Sequence, residues 1–76
     1  MVVAFVLVQS EIGTVELLVQ EIRKLEEVVE AYMVAGPYDI IVKIQAQKFE
    51  EVAKTVTEKL HKLAGVKTTL TLFCFG

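Results

Sequence analysis

The first strand-like segment of this chain has no polar side. Residues 2–8 read VVAFVLV, so side chains at even and at odd positions are apolar alike. Successive side chains of a β-strand point to opposite faces of the sheet, and an antiparallel sheet with one solvated face alternates apolar with polar residues. Both faces of the sheet at this strand must therefore be covered by other apolar surface.

Two segments of helical periodicity separate four segments of strand character. Apolar residues spaced i, i+3, i+4, i+7 run from Val15 to Leu25, and Thr14 is the predicted N-cap. Gly65 stands where a helix C-terminal glycine belongs, after a second apolar stripe made of Phe49, Val52, Ala53, Val56, Leu60 and Leu63. Runs rich in β-branched and aromatic residues predict strands over residues 2–9, 26–34, 39–46 and 66–75.

The predicted element order is βαββαβ, and 76 residues give room for a single domain, residues 1–76. The common solution for this order is an α+β, ferredoxin-like fold, in which a four-stranded antiparallel sheet carries both helices on one face. From right-handed crossovers we expect the first and third strands to be parallel neighbours in the centre of the sheet.

Helices on one face of the sheet leave the other face bare, and that face is apolar as well. Left exposed, it would be a larger apolar patch than a soluble monomer usually carries. No further segment is available to cover it, so we expect a second copy of the chain to pack against it, sheet to sheet. The predicted interface residues are Val3, Phe5, Leu7, Phe73 and Phe75.

Catalytic and metal-binding residues are scarce. The chain has one His, one Cys, one Ser and one Asp, and it shows no glycine-rich phosphate loop and no metal-ligand spacing. His61 lies in the second predicted helix and is best explained as a solvated position. We therefore predict that the protein is not an enzyme and uses no metal and no cofactor.

Charge and hydropathy narrow the choice of partners. The formal net charge is −2, with ten acidic residues against eight basic ones, which argues against direct binding to DNA. The opening run MVVAFVLV is too short to span a bilayer and lacks the features of a signal peptide. A single cysteine fits a reducing compartment. We predict a cytoplasmic protein without a membrane partner.

The turn between the second and third strands, in VAGPYDIIVKI, has an unusual composition. Gly36 and Pro37 suit a tight turn, but Tyr38 and Asp39 are not needed for one, and Asp39 leads directly into an apolar strand. In one interpretation, Asp39 only accepts hydrogen bonds from the backbone of the turn. In the other, the turn lines a site for a small molecule.

This turn and the segment GVKTTLTLF at the start of the last strand resemble motifs of the Lrp/AsnC family of feast/famine regulators. The resemblance is to the C-terminal RAM domain, which regulates amino acid metabolism, and it covers essentially the whole chain. It also departs from the family. The chain starts at the first RAM strand, without a helix-turn-helix. Ile12-Gly13 replaces a common Pro-Gly, and Gln47-Lys48 stand where an Asp cap is frequent.

The resemblance implies a stand-alone effector domain that binds an amino acid and assembles as dimers into a ring, commonly of eight subunits, alone or with full-length regulators. Asp39 would bind the ammonium group of the ligand, and turn amides and threonine hydroxyls would bind its carboxylate. Tyr38 would pack on the side chain of the ligand. The implied ligand-binding residues are Gly36, Pro37, Tyr38, Asp39, Thr69 and Thr71.

Two other classes share this topology and stay open as alternatives. One is the dimeric α/β-barrel enzymes, which place His, Asn, Trp or Arg in the sheet cavity, where this chain offers Lys43 and threonines. The other is the ACT-like ligand-binding modules, from which the composition of the turn is the main difference.

Overall fold

A computed structural model describes all 76 residues of the chain. The strands and helices follow the predicted order, with boundaries that differ by a few residues. The strands are β1 (Val2–Ser10), β2 (Val28–Met33), β3 (Ile40–Ala46) and β4 (Val66–Phe73). The helices are α1 (Val15–Arg23) and α2 (Phe49–Lys54), and α2 continues through a π-helical turn (Thr55–Lys59) and a 3₁₀ turn (Leu60–Lys62).

The four strands form one antiparallel sheet in the order β2-β3-β1-β4. β1 and β3 are neighbours in the centre, as expected, but they run antiparallel, so the expected parallel pairing is wrong. The reason is that the α1 crossover makes β1 parallel to β2, and β3 lies between these two strands. β3 is antiparallel to β2 through their short connection and is therefore antiparallel to β1 as well.

One face of the sheet is covered by both helices, and the core lies between them. The apolar side of α1 contributes Leu18, Val19 and Ile22, which are all buried. The buried residues of the core cluster are Ala4, Val6, Val8, Leu18, Val19, Ile22, Ala31, Ile40, Val42, Ile44, Val52, Val56 and Leu60. The even-numbered residues of β1 therefore face the helices, and the odd-numbered ones face away.

The second helix departs from the predicted apolar stripe. Ala53 is exposed, and Thr55 is buried instead, with its hydroxyl donating to the carbonyl oxygen of Glu51 at 2.9 Å. In an ideal α-helix, residues four apart drift by about 40° per step. The wider π-helical turn offsets this drift and keeps Val52, Val56 and Leu60 buried on one face.

The start of the second helix is capped from inside the helix. The carboxylate oxygen Oε1 of Glu51 accepts hydrogen bonds from the backbone N–H groups of Gln47, at 3.0 Å, and Lys48, at 2.9 Å. These N–H groups precede the helix and would otherwise lack a partner. Glu51 therefore takes the place of the aspartate cap that this chain lacks.

The loop after β1 and the start of β4 are fitted closely together. Gly65 adopts φ +99°, and a Cβ atom there would lie 2.7 Å from the Thr14 hydroxyl oxygen. Thr14 stands at the N-cap position of α1, as predicted, but its side chain does not cap the helix. Its hydroxyl donates to the carbonyl oxygen of Glu11 at 2.7 Å instead.

Candidate functional site

The turn between β2 and β3, residues 34–39, is held against the end of β1. Within the turn, the backbone N–H of Val34 donates to the carbonyl oxygen of Asp39 at 2.9 Å. The N–H of Asp39 donates to the carbonyl oxygen of Val8 at 2.8 Å. Gly36 has φ +155°, a conformation that side chains rarely adopt. The backbone of the turn is therefore fixed by its connection to the central strand.

The Asp39 side chain has a structural role in this arrangement. Its oxygen Oδ2 accepts a hydrogen bond from the backbone N–H of Ser10 at 2.8 Å, and the residue is half-buried. None of the salt bridges in the chain involves Asp39. The carboxylate is therefore positioned through one oxygen, and its negative charge is not balanced by a cation from the same chain.

A glutamine that the sequence analysis did not single out connects the turn to β4. The Gln9 side-chain amide donates from Nε2 to the carbonyl oxygen of Pro37 at 3.0 Å. Its Oε1 accepts a hydrogen bond from the Thr68 hydroxyl. Gln9 is the first polar residue in the odd-numbered series of β1, and this break in an apolar series was the available signal. The partners lie 28 and 59 residues away in sequence, so the contacts themselves were not predictable.

The two predicted threonines face the helix-covered side of β4. Thr69 pairs with Val8 and Thr71 with Val6, and both valines are fully buried under the helices. The Thr69 hydroxyl lies 2.6 Å from Nε2 of His61. The structure therefore brings the turn residues 36–39 together but points both threonines toward the helices, whereas Gln9 and Thr68 belong to the open side of the sheet.

The open face of the sheet carries apolar residues on its two central strands and on β4. Val3, Phe5 and Leu7 are partly buried there. Phe5 pairs with Leu72, and Leu7 pairs with Leu70. Leu70 and Leu72 are 43% and 49% exposed. Ile41 of β3 lies on the same face, opposite Leu7.

The placement of Phe73 on this face was wrong. Phe73 pairs with Ala4, which is fully buried under the helices, and its ring packs edge-on against Phe49 of α2, with centroids 5.1 Å apart. Phe75 lies beyond the end of β4 and is 86% exposed. Leu70 and Leu72, rather than Phe73, extend the apolar face across β4.

A small polar cluster borders the apolar residues of the open face. Lys43 pairs with Phe5 on one side and Glu30 on the other, and its Nζ lies 3.8 Å from Glu30 Oε2. The Tyr32 hydroxyl donates to Glu30 Oε1 at 2.7 Å. This hydrogen bond to a carboxylate raises the pKa of Tyr32. Both oxygens of Glu30 are therefore engaged.

A cleft with a volume of about 660 Å³ lies at the end of the sheet opposite to the turn between β2 and β3. Charged and polar side chains from the loop before β2, the end of β3 and the second helix line it. Across it, Lys59 Nζ contacts Glu27 Oε2 at 2.7 Å. The hydrogen bond lowers the pKa of Glu27 and raises the pKa of Lys59. The cleft is bounded by this ion pair and has little apolar lining.

No group of three or more His, Cys, Asp or Glu side chains is arranged to hold a metal ion. No helix has the length and apolar character needed to cross a membrane.

Comparison with known sequences gave one family and several relatives. The family described as Lrp/AsnC ligand binding domain matches residues 3–76. An HTH-type transcriptional regulator of Pyrococcus furiosus is 43% identical over 56 residues, which are 74% of this chain and 37% of the relative. The chain thus matches about a third of the length of that regulator.

Solved structures share this fold. A protein of Thermus thermophilus superposes with a TM-score of 0.95 at 37% identity, over 100% of this chain and 95% of the other. A transcriptional regulator of Neisseria meningitidis, solved in complex with L-methionine, superposes with a TM-score of 0.89 over 99% of this chain and 50% of the other. Its identity is 18%, so this second match demonstrates the shared fold alone.

Proposed function

Since this chain belongs to the Lrp/AsnC ligand-binding domain family, we propose that it senses an amino acid effector and controls transcription through its own assembly. Its copies pair through the open face of the sheet, and the pairs associate further into rings of up to eight subunits. It acts on transcription by assembling with itself or with full-length regulators of the same family. It performs no catalysis and works in the cytoplasm.

The observation that carries the assembly proposal is the open face. In this 76-residue chain the open face presents Phe5, Leu70, Leu72 and their neighbours to solvent. Exposed apolar patches of this kind mark interaction sites. A standard interface buries about 800 Å² per partner, which is about a sixth of the 4911 Å² surface of this chain. A second copy offers the same apolar surface and covers it by two-fold packing.

The effector proposal centres on the turn and the end of β1. Oδ2 of Asp39 accepts the hydrogen bond of the Ser10 amide. The negative charge of the carboxylate remains available for a short, charge-assisted hydrogen bond from an ammonium group. Gln9 and Thr68 supply an amide and a hydroxyl on the open side. An α-amino acid has the complementary charges. The regulator from Neisseria meningitidis was solved in complex with one, L-methionine.

A single chain does not enclose this turn. Gly36 and Pro37 are exposed, and Tyr38 and Asp39 are half-buried. The predicted threonines point toward the helices, so the carboxylate of the effector needs donors from elsewhere. We place the effector at a contact between dimers, where a neighbouring subunit supplies these donors. Binding and ring formation then favour each other, because each ligand bridges two dimers.

A pair of substitutions at Asp39 tests the effector site. Asp39→Asn keeps an oxygen that accepts the Ser10 N–H but removes the charge, whereas Asp39→Ala removes both. We expect titration calorimetry with a panel of amino acids to find one that binds the parent protein and shifts its ring size. Neither variant should bind it, and only Asp39→Ala should lose stability, by about 1–3 kcal/mol for the unpaired amide.

Two outcomes would contradict the effector site. If Asp39→Asn binds the same amino acid as the parent, the charge is not a ligand contact. If no amino acid binds the parent while Asp39→Ala simply melts earlier, Asp39 has only its backbone role. Light scattering on the parent tests assembly separately, because a folded monomer at micromolar concentration would contradict pairing through the open face.

DNA binding is a further point on which this proposal is testable. The chain has ten acidic residues and eight basic ones. Few basic side chains are therefore available to neutralise phosphates and release the counterions whose release drives DNA binding. We expect no sequence-dependent retention of a promoter fragment at physiological salt. Specific retention by the chain alone would contradict this expectation.

A further inference from the structure

The two edges of the sheet differ in how their backbone groups are protected. β2 and β4 are the edge strands. In β2, Tyr32 pairs with Ile41, and the Val34 N–H bonds across to Asp39. Because hydrogen-bonded pairs alternate in an antiparallel ladder, the backbone groups of Ala31 and Met33 point outward. These outward groups are the ones that an added strand would use.

Arg23, the last residue of α1, occupies one of these outward groups. Its Nε and Nη2 both donate to the carbonyl oxygen of Ala31, at 2.9 and 2.7 Å. None of the ion pairs of the chain involves Arg23. Its guanidinium is therefore committed to a backbone acceptor at the sheet edge, although an exposed arginine ordinarily has carboxylates or water as partners.

The sequence of β2 makes this position consequential. β2 and the residue after it read VVEAYMV, and Val29, Tyr32 and Met33 are 50%, 52% and 52% exposed. An exposed apolar edge strand is a template for pairing with another chain. The register of β2 with β3 also shifts between Val28 and Glu30, and a bulge of this kind twists an edge away from regular pairing.

β4 lacks a comparable protection. The hydrogen bonds that side chains make to β4 go to the hydroxyls of Thr68 and Thr69, and not to its outer backbone groups. Charge from Lys67 at the start of the strand is the main feature that discourages pairing there. The guanidinium contact is therefore specific to the β2 edge.

We propose that Arg23 closes the β2 edge against a β2 strand of a second copy, and so restricts assembly to other surfaces. An incoming antiparallel β2 needs the Ala31 carbonyl oxygen as an acceptor and the space alongside it. The Arg23 side chain fills both. Removing it exposes an apolar strand with outward N–H and C=O groups at residues 31 and 33, which is the geometry of strand addition.

The test compares Arg23→Ala with the control substitution Lys24→Ala. Lys24 is the neighbouring cation, and it forms an exposed ion pair with Glu21. We expect Arg23→Ala to form species of at least twice the parent mass by light scattering, increasing with concentration. Lys24→Ala should match the parent. Hydrogen exchange at the Ala31 and Met33 amides should slow at least tenfold in the larger species, because strand pairing protects outward N–H groups.

A second substitution separates strand addition from loss of stability. Arg23→Ala combined with Met33→Pro lacks an outward N–H that the added strand needs, at an edge position where proline is tolerated. Met33→Lys serves the same purpose if the proline variant does not fold. Either double variant should return to the parent mass.

Three outcomes would overturn the proposal. The first is a folded Arg23→Ala that keeps the parent mass at all concentrations. The second is growth that Met33→Pro and Met33→Lys both fail to prevent. The third is growth without protection of the Ala31 and Met33 amides. Each would place the association on another surface.

Discussion

On the helix-covered face, Ala4, Val6 and Val8 of β1 are fully buried, whereas Val3, Phe5 and Leu7 on the open face are only partly buried. The same strand supplies both sets, and both are apolar. The difference lies in what covers them, because this chain's two helices cover one face alone. Apolar residues that the fold leaves partly exposed lie outside the core, and in the proposed assembly a second copy covers them.

The two faces also differ in polarity. The core between the helices and the covered face has one buried polar residue, Thr55, and the hydroxyl of Thr55 is satisfied by the backbone of its own helix. The open face carries Lys43, Glu30 and Tyr32 at its β2 side. A surface that is buried completely does not need an ion pair, so in the proposed pairing these residues mark the limit of the apolar surface that a second copy covers.

Two adjacent residues of β4 give the largest expected contrast. Phe73→Glu places a charge on the covered face and removes the packing of Phe73 on Phe49, so we expect a loss of at least 3–5 kcal/mol, by analogy with about that cost for Phe→Ala. Leu72→Glu should leave the fold intact and abolish pairing. Circular dichroism and light scattering distinguish unfolding from dissociation.

The contrast fails if the two variants behave alike. A folded, dispersed Phe73→Glu would mean that this ring belongs to the interface, as the sequence first indicated. Phe49→Ala serves as the control for Phe73, since it should weaken folding without affecting association directly.

A substitution at Gly65, directly before β4, should affect folding and association together, because β4 carries residues of both faces. Gly65→Ala forces a side chain into φ +99° and against the Thr14 hydroxyl, which costs about 1–3 kcal/mol. Because the Gly65 carbonyl oxygen accepts the Glu11 N–H at 2.8 Å, the start of β4 should shift against β1. Urea denaturation measures the first effect and dimer dissociation the second. A loss in only one would show that β4 adjusts locally.

Replacing the polar cluster should strengthen association while leaving folding almost unchanged. In Lys43→Met combined with Glu30→Gln, no charge is left unpaired and the desolvation cost of the ion pair is removed. We expect the dimer dissociation constant to fall about tenfold, or 1.4 kcal/mol. Sedimentation equilibrium measures it. Weaker pairing in the double variant would mean that the ion pair makes favourable contacts across the interface.

The smallest effect is expected from pH, and on folding alone. The hydrogen bond from Lys59 lowers the pKa of Glu27 below 4.5, so its stabilisation is present above pH 4.5 and is lost as the pH falls through the lowered pKa. The pKa of Lys59 is raised above 10.5, so its share is present below pH 10.5 and is lost as the pH rises through the raised pKa. The pair is distant from the open face.

Thermal melts of the parent and of Lys59→Met, taken from neutral pH downward, measure this effect. We expect the parent to lose its small advantage over the variant below pH 4.5, where Glu27 becomes protonated. An advantage that persists in acid would mean that Lys59 stabilises the fold by packing rather than by charge.

Periodicity was sufficient to predict the elements and the fold class, because the buried stripe of α1 and the strands are strongly patterned. It did not assign the faces of β4, where both alternating sets contain apolar residues. Hydrophobicity alone would place Leu70 and Leu72 in the core, but the pairing with β1, set through a register shift near Ser10, turns Thr71 and Phe73 inward. Register is a tertiary property that a local pattern does not contain.

The candidate site was predictable to the same limit. The turn residues are contiguous in sequence, so their composition identified them before any contact was known. Gln9 and Thr68 come from other strands, and the hydrogen bonds of Gln9 join residues 28 and 59 positions apart in sequence. These features depend on contacts distant in sequence.

The Gln9 side chain has one further consequence, for communication within the chain. Its amide is shared between Pro37 in the turn and Thr68 in β4, so a group that takes over its bond to the turn also frees or reorients its bond to β4. If the proposed effector occupies the turn, its binding and the position of the edge strand β4 are coupled, and the coupling is equal in both directions. Two hydrogen bonds limit this linkage to about 1–3 kcal/mol, which is enough to change an affinity by one or two orders of magnitude.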